Sequence, residues 1–280
     1  MKRGRRLQNG SGKPATARFA QTFAHHISHP PACQTRRQSS RRPENLSHAL
    51  LAFTAELTYT QNRNAMSLIA VFADVHNKTQ TLARALAVLE RRGVTAYWQL
   101  GDLGAEPLAL LEGLPVSHVF GNWEVSGLPH LPADRRAWVA NWPAHLTGPF
   151  WIASHATPVY PPGCTTTAAT WRYMHEHHPR WLQVFPSLLH DERAIAAALA
   201  ALAEGDRLVA FHGHTHVQAV QQLGPDGRLR RLDGPVIALT PGTRTLVGVG
   251  SIGVPRDGPH PRCVLFDPEA RTVELLTLSL

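Results

Sequence analysis

The sequence predicts an α/β domain. Three observations carry this: short apolar runs, an amphipathic stretch between the first two of them, and a polar residue just past the carboxyl end of each run. In such sheets functional groups gather outside the carboxyl ends of the strands.

Residues 68–74, LIAVFAD, form a short bounded apolar run and are expected to be a buried strand. Asp74 and His76 follow at its end. Residues 79–92 place Leu82, Leu86 and Leu89 on one helical face, and Gly93 supplies the left-handed residue on which helices end. A second strand over residues 94–100 delivers Gly101 and Asp102. After the apolar Leu108, Leu110 and Leu111, a third over residues 118–120 delivers Gly121 and Asn122. Residues 148–155, GPFWIASH, read as another strand and end on His155.

Residues 156–190 open with Pro158, Pro161, Pro162 and Gly163 and continue as TWRYMHEHHPRW, an irregular insertion expected to cap one end of the sheet. Asp191 can N-cap a helix over residues 192–204, closed by Gly205. Residues 207–212, RLVAFH, lead as a strand into Gly213, His214, Thr215 and His216. The rest reads as antiparallel strands, with Gly224-Pro225-Asp226-Gly227 the clearest hairpin turn.

The chain has 280 residues and a formal charge of +8, with a pI near 10.1. Residues 1–65 hold 11 Lys and Arg against 2 acids, which leaves 17 against 18 for residues 66–280. The basic excess therefore belongs to the N-terminal segment. It gives no case for a polyanion-binding surface on the domain, and nucleic acid is expected to bind only nonspecifically, through the tail.

Residues 1–65 lack the apolar periodicity needed to order themselves and read as a disordered basic extension ahead of a single domain over residues 66–280. A transit peptide, or an upstream extension ahead of a natural start at Met66, are the other readings of that segment. Cys33, Cys164 and Cys263 are far apart and form no CxxC pair. No apolar run approaches the roughly 18 residues of a membrane span, and MKRGRR is followed by polar residues rather than a signal-peptide core. The expected setting is cytoplasmic, with no membrane partner.

Asp74-x-His76, Gly101-Asp102, Gly121-Asn122, His155 and Gly213-His214-x-His216 form an ordered series of oxygen and imidazole donors. Taken singly, an Asp after a strand is a turn residue or cap and a lone His an ordinary surface or core residue. Four of these five elements, however, follow apolar strand candidates. Asp74 and Asp102 are 28 residues apart, and Asp102 and Asn122 are 20 apart. These intervals are close to the ~30 residues of a βαβ unit, which brings successive donors to one sheet edge. His214 and His216, at i and i+2, can face the same side. Oxygen and imidazole donors without thiolate suit Mn, Fe, Zn, Ni or Co. Two such ions, ~3.5–4 Å apart, stabilise the attacking and leaving oxygens at phosphorus.

The series DxH, GD, GN, H and GHxH resembles the signature of the calcineurin-like metallophosphoesterases across residues 68–280. GHTH followed by VGVGSIGVPRDG and PRCVLFD is similar to the small bacterial phosphodiesterase subgroup. The resemblance implies a four-layer α-β-β-α sandwich. It implies one ion on Asp74, His76, Asp102 and His216, and a second on Asp102, Asn122, His155 and His214, with Asp102 bridging. A metal-bridging hydroxide would then hydrolyse a small-molecule or nucleotide-like phosphodiester. By the same pattern Arg256 contacts a phosphate oxygen. A phosphomonoesterase, a protein phosphatase and a non-catalytic scaffold of the same fold, like the retromer subunit, are the alternatives it leaves.

Three positions depart from the family pattern. The GNH histidine, usually assigned as the proton donor to the leaving group or as a transition-state contact, is Trp123 in GNWE. Its indole can donate a hydrogen bond but cannot transfer a proton at neutral pH. It is read either as packing against the cap or as stacking on substrate. Asn77 replaces the glycine after DxH and is followed by Lys78, and Ala156 follows His155 where glycine is usual. His175, His177 and His178 read as a solvated face rather than a metal tract.

Overall fold

The computed structural model describes residues 68–279. The reading of residues 1–65, and Cys33 with it, lies outside the described residues. No helix among the described residues is long and apolar enough to cross a membrane.

Two mixed six-stranded sheets form the centre. The first begins with β1 (Ile69–Phe72), β2 (Ala96–Leu100) and β3 (Val116–Val119), which are mutually parallel, and the antiparallel β11 (Arg262–Asp267), β12 (Thr272–Thr277) and β9 (Val236–Ala238) complete it on the other side of β1. The second has parallel β5 (Trp151–Ser154), β6 (Val209–His212) and β10 (Arg244–Val249), flanked by β4 (His145–Thr147) on one side and β7 (Gln218–Leu223) and β8 (Leu229–Leu232) on the other.

Strand parity explains how the layers stack. Successive side chains of a strand face opposite sides. Ile69 and Val71 of β1, Trp98 and Leu100 of β2, and Val264 and Phe266 of β11 share one buried cluster with Val209 and Phe211 of β6 and Val247 and Val249 of β10. That cluster is the interior between the sheets. The alternate residues of the first sheet, Ala70, Phe72, Tyr97, Cys263 and Leu265, pack instead with Leu82, Ala85 and Leu89 of α1 (Thr79–Arg91). Those of the second sheet, Ile152, Ala210 and Leu246, pack with Ile195, Ala198, Leu199 and Leu202 of α7 (Glu192–Glu204). Helix, sheet, sheet, helix is the four-layer sandwich expected from the motifs.

The local signals hold where they were strongest. Gly93, just past α1, has φ 78°, and Asp191 caps α7 by accepting from the amides of Arg193 and Ala194. The hairpin at residues 224–227 joins β7 to β8. Residues 156–190 are more regular than expected. They contain α5 (Thr167–His177), capped where the Thr166 hydroxyl accepts from Ala169 N, and the short α6 (Trp181–Val184). The prolines that suggested an irregular course all precede α5 and do not interrupt it. His175 and His177 are exposed on α5, each bonded through Nδ1 to the carbonyl four residues back, and so form a solvated face.

Candidate metal centre

Each sequence-predicted donor stands at the carboxyl end of a strand. Asp74 and His76 follow β1, Asp102 follows β2, and Asn122 opens the short α3 (Asn122–Gly127) after β3. His155 follows β5 directly, and His214 and His216 follow β6. Both sheets present their parallel strand ends to the same place, so residues spread over 143 positions meet there.

Asp74, His76 and His216 form one group able to hold a metal ion, and Asp74, Asp102 and His155 a second. The His76 and His216 Nε2 atoms are 3.1 Å apart, and Asp74 Oδ1 lies 3.8 Å from the first and 3.3 Å from the second. On the other side, His155 Nε2 lies 3.1 Å from Asn122 Oδ1, 3.2 Å from His214 Nδ1 and 3.5 Å from Asp102 Oδ1. Asp102 reaches both: its Oδ2 is 3.7 Å from His76 Nε2.

The chemistry of these contacts identifies what fits between them. His155 Nδ1 lies 2.7 Å from the Leu100 carbonyl, which can only accept, so Nδ1 carries the proton and Nε2 presents a lone pair. That lone pair faces the carboxylate of Asp102 and the amide oxygen of Asn122, which are acceptors too. His216 repeats the arrangement, with Nδ1 3.0 Å from the Val254 carbonyl and Nε2 turned toward Asp74. Asp74 Oδ1 is buried and has no hydrogen-bond donor among the described residues. Acceptors gathered around acceptors repel one another unless a cation lies between them, and a carbonyl behind each imidazole is how metal-ligating histidines are usually oriented.

Protonation states agree with this. Burial, as the main cause, lowers His76 to about 4 and His155 and His214 to about 3, so all three imidazoles are neutral with a lone pair available at pH 7. Burial first, then the carboxylates of Glu124 and Asp74, push Asp102 well up. A group of carboxylates in this setting calls for positive charge.

The backbone is strained in the same places. Asp74, His76, Asn77, Asp102, His214 and His216 all have φ between 50° and 64°, a left-handed conformation that non-glycine residues seldom adopt. The glycines before the donors permit close approach. A Cβ on Gly101 would stand 2.6 Å from Gly121 N, and one on Gly121 would stand 2.2 Å from Asp102 Oδ1.

Two functional positions escaped sequence reasoning. Glu124 is buried, and its carboxylate accepts from the amides of Asp102, Gly121 and Leu103 at 2.8, 2.8 and 2.9 Å, tying the two GD and GN loops together. The signal was available, because an acid at the third helical position can turn back to the residue before the helix. Glu124→Ala leaves three buried amides without acceptors, at ~1–3 kcal/mol each before water intrudes. We expect a clear drop in the urea midpoint, with Glu124→Gln intermediate. The second is Ser251, fully buried, whose hydroxyl donates to the Asp74 carbonyl at 2.7 Å and accepts from Val254 N at 2.8 Å. It fastens the GSIGVPRDG turn onto the Asp74 loop.

Of the two predicted substrate contacts, Arg256 is exposed, donates its backbone amide to the His216 carbonyl at 3.0 Å, and its charge helps lower His76. Trp123 is 41% exposed, with its ring edge-on to His76 at 4.2 Å. Its amide donates to Asp102 Oδ1. Phe185, just after α6, sits on the opposite flank, 6.0 Å from the His155 ring and 6.2 Å from that of His214.

The family model described as the calcineurin-like phosphoesterase superfamily domain matches residues 66–271. No curated protein sequence matches the chain significantly. Among solved structures, a metallophosphoesterase from Sphaerobacter thermophilus shares 21% identity over 77% of this chain and 89% of its own, with a TM-score of 0.57. An archaeal phosphodiesterase (10% identity, 75% and 99% covered, TM-score 0.43) and a protein serine/threonine phosphatase from Saccharomyces cerevisiae (13%, 78% and 82%, 0.39) are more distant. The match over most of the described residues places this chain in the calcineurin-like phosphoesterase superfamily.

Proposed function

We propose that the protein hydrolyses a small-molecule or nucleotide-like phosphodiester, using two divalent transition ions. Asp74, His76, Asp102 and His216 would hold one ion, and Asp102, Asn122, His155 and His214 the other. The observation that carries this reading is the set of buried lone pairs facing one another, drawn from the strand ends of both sheets. When bound, the ions supply an activated water and positive charge beside the phosphoryl oxygens. Manganese, iron, zinc, nickel or cobalt suits a donor set of oxygen and imidazole without thiolate.

The chain's own residues supply orientation and charge. The carbonyls of Leu100 and Val254 fix the His155 and His216 rings, and Glu124 holds the Asp102 loop against Asn122. Arg256 brings a fixed positive charge to the His76 side, where a phosphoryl oxygen can meet it. Trp123 occupies the position beside Asn122 and carries no transferable proton. A diester with a leaving group that departs unaided is therefore favoured over a monoester or protein substrate that needs an acid. We place the domain over residues 66–280, with residues 156–190 as a cap on the Phe185 side, and the activity in the cytoplasm. The latter rests on Cys164 and Cys263, both buried and free.

The test is hydrolysis of bis(4-nitrophenyl) phosphate against 4-nitrophenyl phosphate, before and after chelation and readdition of Mn²⁺. The proposal expects chelator-sensitive turnover with the diester ahead by tenfold or more in kcat/KM. A monoester preference would return the function to a phosphatase, and no turnover with either would favour a scaffold.

A further inference from the structure

A cavity of about 230 Å³ opens beside the candidate metal centre, lined among others by Asn77, Leu108, Trp123, Gly127, Val139 and Trp142. Two of its walls start next to the donors. Asn77 follows His76, and Trp123 follows Asn122. Its lining is otherwise mainly apolar, and at this size, below the ~300 Å³ at which pockets for whole drug-sized ligands begin, it suits a single ring system.

Trp142 forms a rigid wall. Its ring stacks on His118 at 4.3 Å and 10° and meets Trp138 edge-on at 5.3 Å, and His118 is itself 3.3 Å from Gln99 Oε1 through Nδ1. Trp142 is only 3% exposed, yet its indole Nε1–H has no acceptor among the described residues. A buried donor is seldom left unpaired. Trp123, by contrast, leaves 41% of its surface open. The site thus combines a half-open aromatic face with a mainly apolar interior.

We infer that this cavity is the specificity pocket for the substrate's organic group, a planar ring seated against Trp123. The inference rests on the phosphodiesterase reading for what the ring is attached to. It names the substrate class more narrowly: esters of aromatic or heteroaromatic alcohols, or of nucleosides, rather than of simple alkyl alcohols.

Gly127 provides the handle for a test. It lines the cavity with φ −83°, and a Cβ added there meets nothing within 4 Å, so a larger residue fits beside the cavity without straining the backbone. The probe is indan-1-one, a planar ring with a carbonyl acceptor and no phosphate, titrated calorimetrically into the full-length protein. Saturable binding is expected, weakened about tenfold or more by Gly127→Leu and less by Gly127→Ala. In hydrolysis of bis(4-nitrophenyl) phosphate the same compound should raise KM and leave kcat unchanged. Absence of saturable binding, or equal binding by a Gly127→Leu protein with a normal unfolding transition, overturns the inference. The two readings separate cleanly: binding without hydrolysis would sink the hydrolase and spare the pocket, whereas hydrolysis that indan-1-one leaves untouched would do the reverse.

Discussion

Asp102→Ala is expected to lose metal binding and hydrolysis together. The two carboxylate oxygens of Asp102 divide their attention, one lying 3.5 Å from His155 Nε2 and the other 3.7 Å from His76 Nε2. Truncation therefore takes an oxygen from both halves of the site. A loss of about 10²–10³-fold or more in kcat is the scale on which removal of a transition-state charge stabiliser acts. Asp102 is also a structural acceptor for the Trp123 amide, so the comparison needs Asp102→Asn, which retains an oxygen for that amide and lacks the charge. Both variants should fold, and both should fall in bound metal measured by elemental analysis. Turnover near the wild-type level in Asp102→Ala at equal protein stability would show that the reaction does not run through this cluster.

The second large effect is a gain. With Trp123 beside Asn122 and no acid at that position, turnover should depend steeply on how readily the leaving group departs without a proton. Activated aryl diesters should be cleaved far faster than alkyl ones. Trp123→His restores an imidazole at the position where the family resemblance places the proton donor. It is expected to raise the rate on poor leaving groups selectively, by up to the ~10²–10⁴-fold that general acid catalysis contributes. Because the Trp123 ring touches His76 and lines the neighbouring cavity, the comparison is made at matched metal content and on esters sharing one organic group. The ratio of rates between good and poor leaving groups is the quantity to follow. A ratio unchanged by the substitution, or a wild type indifferent to the leaving group, would mean that another residue supplies the proton.

Much of this site was legible in the sequence because its donors obey a local rule. Each follows a short apolar run, and β-strand parity together with parallel crossovers brings such positions to one edge. Hence Asp74, Asp102 and Asn122 could be placed from spacing alone, while His155 and His216 needed the family resemblance to link them, since they come from the other sheet. What could not be read was support through space. Glu124 binds three amides spread over 20 positions of chain, and Ser251 clamps a loop 177 residues away. The helix start marks the bond of Glu124 to Gly121, but nothing local marks its reach to Asp102 and Leu103 or that of Ser251 to Asp74. The helices of residues 156–190 were hidden for another reason: proline and glycine at 158–163 dominated the local reading, although Thr166 offered a cap just beyond them. The cavity was invisible for a third reason, because its walls come from four separated stretches of chain.

The most direct test of the account is the metal content of the protein itself. Elemental analysis of the full chain, purified without chelator and again after reconstitution with Mn²⁺, should find two divalent transition ions per chain in the reconstituted protein. The Asp102→Ala protein should hold markedly less under the same treatment. No stoichiometric metal in the wild type after reconstitution would contradict the central claim, because the buried lone pairs of Asp74, His155 and His216 would then face one another with no cation to hold them.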